Sequence, residues 1–174
     1  MTKLVCSLIL WLSATCIQAE VTSKGETGFR LQIVGEVAVT PNEAYEQFIN
    51  IDQWWLKSHT WYGDASNLRI EPRAGGCFCE ISGDNEVLHM LVTFVKPGSE
   101  LKMVGGLGPL QMMGLHGGMS WRFEKIESGT QIIQTYNVTG YAPGGLSDLA
   151  DIVDNVQTNQ LNALVEKIKN SRSN

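Results

Sequence analysis

Three histidines, two neighbouring cysteines and a pair of mid-helix glutamines are the residues of this chain best suited to chemistry. His59, His89 and His116 show no metal-ligand spacing with one another or with a carboxylate, such as His-Glu-x-x-His. His59 and His116 both fall in expected loops and can meet in space as an acid and a base. The alternative is that each is a solvated or hydrogen-bonded side chain without a role. Tyr136, Gln157 and Gln160 add groups able to orient or protonate a substrate. There is no Gly-x-Ser-x-Gly elbow or other nucleophile motif. The glycines between Gly105 and Gly118 are not followed by Lys-Ser/Thr, so they form no phosphate loop. No motif calls for a metal or a cofactor, and neither is expected. Arg73, ahead of Gly75-Gly76, can hold a ligand carboxylate through two bonds or bridge Glu71. Asp84, Asp148 and Asp151 read as turn and cap residues.

The element that must position these groups is the last long stretch, Gly145 to Asn170. Ser147 is placed to cap a helix, with Asp148 and Asp151 in its first turn, where the helix dipole favours negative charge. Apolar residues recur at three- and four-residue steps through Leu149, Ile152, Val153, Val156, Leu161, Leu164, Val165 and Ile168. The stripe is divided. Its second half centres roughly 110° round the helix from its first. Gln157 and Gln160 sit where the two faces hand over. Either the middle of the helix crosses a cavity and the amides are its polar points, or the helix bends slightly and both amides lie in solvent.

Ahead of that helix the patterns are mostly strands. Phe29 to Val39 alternates as a half-buried strand. Thr40-Pro41-Asn42-Glu43 reads as an N-cap, a first-turn proline and an acidic first turn. A short helix follows through Ile49, and Asp52 opens a second as far as Lys57. Six more strands are expected around Leu68–Ile70, Cys77–Ile81, Val87–Val95, Leu101–Val104, Met119–Phe123 and Ile132–Val138. Turn sequences such as Ser82-Gly83-Asp84-Asn85 join several of them. Val87–Val95 is apolar on both faces, which predicts cover on two sides. Gly105 to Gly118 is expected to be a mobile apolar loop.

The N-terminus has the form of a secretory signal peptide: Lys3, then an apolar core from Leu4 to Leu12, then Ile17-Gln18-Ala19 before Glu20. Residues 1–19 are expected to be removed, residues 20–28 to be a flexible lead-in, 29–170 one domain and 171–174 a polar tail. The protein is then exported, periplasmic or secreted, and no remaining stretch can span a bilayer. Loss of Lys3 takes the formal net charge from −5 to −6. The charges are scattered with no basic cluster, so nucleic acid is not an expected partner. Cys77 and Cys79 are the cysteines left after cleavage. In a regular strand their Cα atoms are about 7 Å apart, the upper limit for a bridge, so a free pair is expected.

Consecutive hairpins and helices segregated along the chain imply an α+β fold. A curved seven-stranded antiparallel sheet around the long C-terminal helix, with two short helices after strand one, buries both apolar faces. The chain resembles the START-type, pollen-allergen-like helix-grip superfamily, SRPBCC, in its heat-shock-ATPase-activator-like and polyketide-cyclase-like branch. The likeness is carried by Thr40-Pro41-Asn42-Glu43-Ala44-Tyr45, Trp54-Trp55 and Glu71-Pro72-Arg73-Ala74-Gly75-Gly76. Pro97-Gly98-Ser99-Glu100-Leu101, Ser128-Gly129-Thr130 and the terminal helix complete it. It departs from that pattern in the leader and in the Gly/Met loop from Gly105 to Gly118, which argues against a chaperone-activating role.

The resemblance implies a deep apolar cavity between sheet and helix. Trp54, Trp55, Trp61, Tyr62, Met90, Met103, Met112, Met113, Met119, Trp121 and Tyr136 can line it, with His59, His116, Gln157 and Gln160 as polar points. Any of the apolar ones can instead fill the core. Trp61, Met112 and Met113, on loops, suit an entrance. The expected function is binding of a small hydrophobic or amphipathic ligand. A cyclase, hydrolase or isomerase acting on an aromatic or polyketide-like substrate in the same cavity is the alternative. A third is a protein-interaction module built on the Gly/Met loop.

Overall fold

The computed structural model describes residues 18–172. Eight strands form one antiparallel sheet. They are β1 (Gln18–Lys24), β2 (Gly28–Val37), β3 (Leu68–Ile70), β4 (Cys77–Ser82), β5 (Asn85–Lys96), β6 (Glu100–Val104), β7 (His116–Ile126) and β8 (Gly129–Thr139). Their spatial order is β1-β2-β8-β7-β6-β5-β4-β3. Helix α1 (Pro41–Ile49) follows β2, and the 25-residue helix α2 (Ser147–Ser171) closes the chain. This is the expected α+β helix-grip architecture with one strand more than expected. Residues 1–17, which carry most of the expected leader, lie outside the described residues, as do 173 and 174.

The additional strand overturns the reading of residues 20–28 as a flexible lead-in. Gln18–Lys24 pairs antiparallel with β2, from Gln18 opposite Val34 to Lys24 opposite Phe29. The segment is polar and almost wholly exposed, so it has no apolar alternation to signal it. Backbone pairing at a free sheet edge supplies the order instead. The Lys24 ammonium also meets Asp151 on α2 at 2.7 Å.

The local signals around α1 hold. Thr40 accepts from the Glu43 amide (3.3 Å), and the Glu43 carboxylate accepts from the Thr40 amide (2.8 Å). This reciprocal cap satisfies two helix-end donors. Hydrogen bonds from Thr40, first the backbone one, hold the Glu43 carboxyl below its ordinary pKa. The expected second helix through Lys57 is instead two single 3-10 turns, Ile51–Gln53 and Lys57–His59. Between them Trp54 and Trp55 turn into the core, with their rings 5.6 Å apart.

Helix α2 begins differently from expectation. Leu146, not Ser147, is the cap residue, and it makes no side-chain cap bond. Gly144 and Gly145 take positive φ (88° and 80°), which turns the chain and drives Leu146 into full burial. A core contact therefore sets the start of the helix. Leu161, Leu164, Val165 and Ile168 are all buried against the sheet. Gly35 of β2 makes room for them: a Cβ there would sit 3.2 Å from Val165 and 3.3 Å from Leu161.

Three further expectations change. Strand β5 is covered on one face only; Met90 and Val92 are buried while Leu88, Leu91 and Phe94 are exposed. The helices lie on a single side of the sheet, and Phe94 is capped by the Lys102 ammonium, 4.9 Å from its ring centroid. The Gly/Met loop is shorter and better tethered than expected. His116, Gly117 and Gly118 belong to β7, and the Gln111 amide donates to the carbonyl of His89 (3.0 Å). Finally, Cys77 and Cys79 form a disulfide. The register of β4 slips between Phe78 and Cys79, and the Cα atoms approach to 5.4 Å. At that separation the distance objection drawn from an ideal strand does not apply.

Candidate functional site

The first half of α2 is joined to the sheet through polar pairs, Asp151 with Lys24 of β1 and Gln157 with Gln134 of β8, and its apolar side chains do not pack on it. Leu149, Ile152, Val153, Val156 and Gln157 instead face Trp55, the segment Ser58–Trp61, His89, Tyr136 and the loop from Leu107 to Met113. These residues enclose a cavity of about 360 Å³. That size is at the lower end of small-molecule sites. No Lys, Arg, Asp or Glu lines it. The two-part stripe of α2 thus has a structural cause: the second half packs, and the first half walls a chamber.

Both glutamines at the hand-over are buried, at 2% and 0% exposure. Solvation of both amides, one of the two sequence readings, is excluded. Gln160 Oε1 accepts from the Leu56 amide at 3.0 Å, and its Nε2 lies 2.7 Å from His59 Nδ1. A backbone N–H can only donate, so Gln160 must present its oxygen to Leu56 and its NH₂ to His59. His59 Nδ1 is therefore the acceptor and Nε2 carries the proton. Gln157 Oε1 accepts from Gln134 Nε2 at 2.5 Å. Gln134 Nε2 also lies 3.7 Å from Met119 Sδ, and its own Oε1 is buried without a partner.

The walls are tied down from behind. Glu80, fully buried, accepts from the backbone amides of Trp61 and Tyr62, each at 2.8 Å, and lies 3.2 Å from His89 Nε2. One carboxylate thus fixes the Ser58–Trp61 wall to β4 and β5. With Nε2 donating to Glu80, His89 leaves Nδ1 buried and unpartnered. Burial pushes the His89 pKa down, against the opposing pull of Glu80. Opposite, the Tyr136 hydroxyl accepts from Leu107 N–H (3.0 Å) and donates to Gly105 C=O (3.2 Å). Burial raises its pKa to about 12. Gly117 permits this arrangement, since a Cβ there would lie 2.7 Å from the Tyr136 ring.

Of the residues expected at the site, Trp55, His59, Trp61, Met113, Tyr136 and Gln157 line the cavity. Gln160 stands behind His59. Trp54, Met90, Met103, Met119 and Trp121 are core side chains. Trp54 and Trp121 stack around Phe48, and the Trp121 indole donates to Met119 sulfur. Tyr62 and Met112 are exposed outside the lining, Met112 at 83%. His116 is exposed at the start of β7 and does not line the cavity with His59. Arg73 pairs with Glu71 at 3.0 Å. Glu80, His89, Gln134 and Leu107–Leu110 were not anticipated. A lone Glu among the apolar neighbours of β4 was the available signal for Glu80.

A second concavity, about 440 Å³, lies on the sheet face away from α2, among Arg30, Lys102, Arg122, Ser120, Thr135 and Asn137. It is open and polar, and two of its cations are paired, Lys102 with Glu100 and Arg122 with Glu124. Among the described residues no cluster of three metal-ligating side chains occurs, and no helix is long and apolar enough to cross a membrane.

No protein-family model matches the chain, and comparison with curated proteins found no match. Solved structures do match. A protein of Rhizobium leguminosarum is 16% identical, with 90% of this chain and 99% of that one covered at a TM-score of 0.57. The AHSA1-like protein of Aeromonas hydrophila is 12% identical, with 82% and 93% covered at 0.54. CalU16 of Micromonospora echinospora is 14% identical, with 89% and 85% covered at 0.53. Likeness at this identity shows the helix-grip fold and nothing finer.

Proposed function

We propose that this protein binds a small hydrophobic or amphipathic molecule in the cavity between the first half of α2 and the Ser58–Trp61 and Leu107–Met113 walls. The observation that carries this reading is the chamber itself. A helix that packs tightly over its second half turns the apolar side chains of its first to a largely apolar space. Trp61 and Met113, both partly exposed, stand at its rim. The solved helix-grip structures supply the fold in which such a chamber is found.

Two of the groups an enzyme could use are not free in the cavity. The Tyr136 hydroxyl is occupied at both its donor and acceptor sides, and His116 is away from the cavity. His59 faces the chamber as a hydrogen-bond donor, a role that suits recognition as well as catalysis. The Gly/Met loop also fits a wall better than an interaction patch, because Leu110 and Leu115 are buried and Met113 lines the cavity. Export on the leader of residues 1–19 places binding outside the cytoplasm in this proposal. Cleavage after Ala19 would leave Glu20–Lys24 of β1, including the lysine that meets Asp151.

Native mass spectrometry of gently purified protein, followed by organic extraction, tests the reading. Co-purifying small molecules released on denaturation are expected. A clean apo mass, together with an experimental structure whose cavity is filled by side chains, would sink it.

A further inference from the structure

We propose that the cavity selects uncharged ligands that carry a carbonyl-type hydrogen-bond acceptor. The inference rests on the binding reading above and deepens it. His59 Nε2 carries a proton because Gln160, held in one orientation by the Leu56 amide, donates to Nδ1. Among the described residues nothing accepts from that Nε2–H, on a half-buried side chain that lines the cavity. Gln157 presents a second donor. Its oxygen is taken by Gln134, and its amide nitrogen has no protein acceptor although the residue is 2% exposed and lines the same cavity.

Two N–H donors thus stand on the wall of a largely apolar chamber, beside the unpartnered Nδ1 acceptor of His89. Tyr136, another polar residue of the wall, has its hydroxyl satisfied by the Leu107 amide and the Gly105 carbonyl. A ligand that fills the chamber strips water from these two donors, so one that supplies an acceptor is favoured over one that does not. The sign of the acceptor follows from what is missing. With no Lys or Arg among the lining residues, a carboxylate or phosphate would be desolvated without a counter-charge. Ketones, esters, amides and quinones fit; hydrocarbons and free acids do not.

The test is a matched panel measured by calorimetry: benzophenone, diphenylmethane, which has the same shape without the oxygen, and diphenylacetate, which adds a charge. Benzophenone is expected to bind about tenfold more tightly than diphenylmethane, the effect of pairing a buried donor. Diphenylacetate should bind more weakly than benzophenone. Gln157→Met and His59→Phe should each narrow the ratio of benzophenone to diphenylmethane affinity. The panel on the unaltered protein stands even if a variant fails to fold. Equal binding of benzophenone and diphenylmethane overturns the inference and leaves the binding reading intact. Tightest binding of diphenylacetate also overturns it. Failure of all three compounds to bind overturns both.

Discussion

Glu80 shows how much one buried side chain can organise. It satisfies two backbone amides of a wall segment and a histidine ring at once. Charge-assisted hydrogen bonds to a fully desolvated carboxylate are among the stronger ones. Glu80→Gln keeps the shape but offers an NH₂ where an N–H needs an acceptor. We expect it to lower stability by about 3 kcal/mol in urea denaturation and to loosen Trp61, seen as a shift in tryptophan emission. His89 adds a pH dependence. Its pKa in the folded state lies below the ordinary value, first through burial. The unfolded chain therefore takes up a proton on His89 more readily than the folded one, from about pH 6.5 downwards. The stability His89 contributes is fully present above about pH 6.5 and is lost as pH falls toward the lowered folded-state pKa. Urea midpoints should drop across that interval, and His89→Phe should flatten that part of the profile. An unchanged profile in the variant would remove His89 as the source.

Among the elements, α2 carries two tasks in one helix. Its packed half depends on Gly35, where any side chain meets Leu161 and Val165. Gly35→Val is expected to destabilise by about 1–3 kcal/mol through overpacking. It should also tilt the helix and change the cavity. Chemical denaturation reads the first effect and ligand affinity the second. Wild-type stability in the variant would mean that the helix has slack at this crossing. The divided stripe was visible in the sequence because periodicity reports direction directly. Whether the middle of the helix crossed a cavity or lay in solvent was not, since the stripe alone fits both. The exposed Leu88, Leu91 and Phe94 of β5 misled for the same reason: apolar character records compatibility with burial, not burial itself.

For the molecule as a whole, the eight-stranded sheet begins at an edge strand that overlaps the expected leader junction. If the leader is removed after Ala19, an intact mass starting at Glu20 is expected from material exported by a bacterial host. The same protein should show no free thiol before reduction, because Cys77 and Cys79 are bridged and both other cysteines, Cys6 and Cys16, leave with the leader. A retained N-terminus would set aside the exported state proposed for the protein. A reactive thiol pair would contradict the bridge.

The sequence by itself determined the α+β class, the succession of β2–β8 along the chain, the capped α1 and the long divided α2. These follow from short-range physics: side-chain period, turn residues and end caps act within a few positions of each other. It also singled out His59, Gln157 and Gln160 as polar points. Only the tertiary structure decided what they do. Gln160 meets His59 and Leu56 across separations of 101 and 104 residues, and Glu80 reaches Trp61 from 19 residues away. Those distances are set by how a curved sheet closes on one helix. No local pattern records them, so the tautomer of His59 and the polarity of the cavity became legible only once the chain was folded.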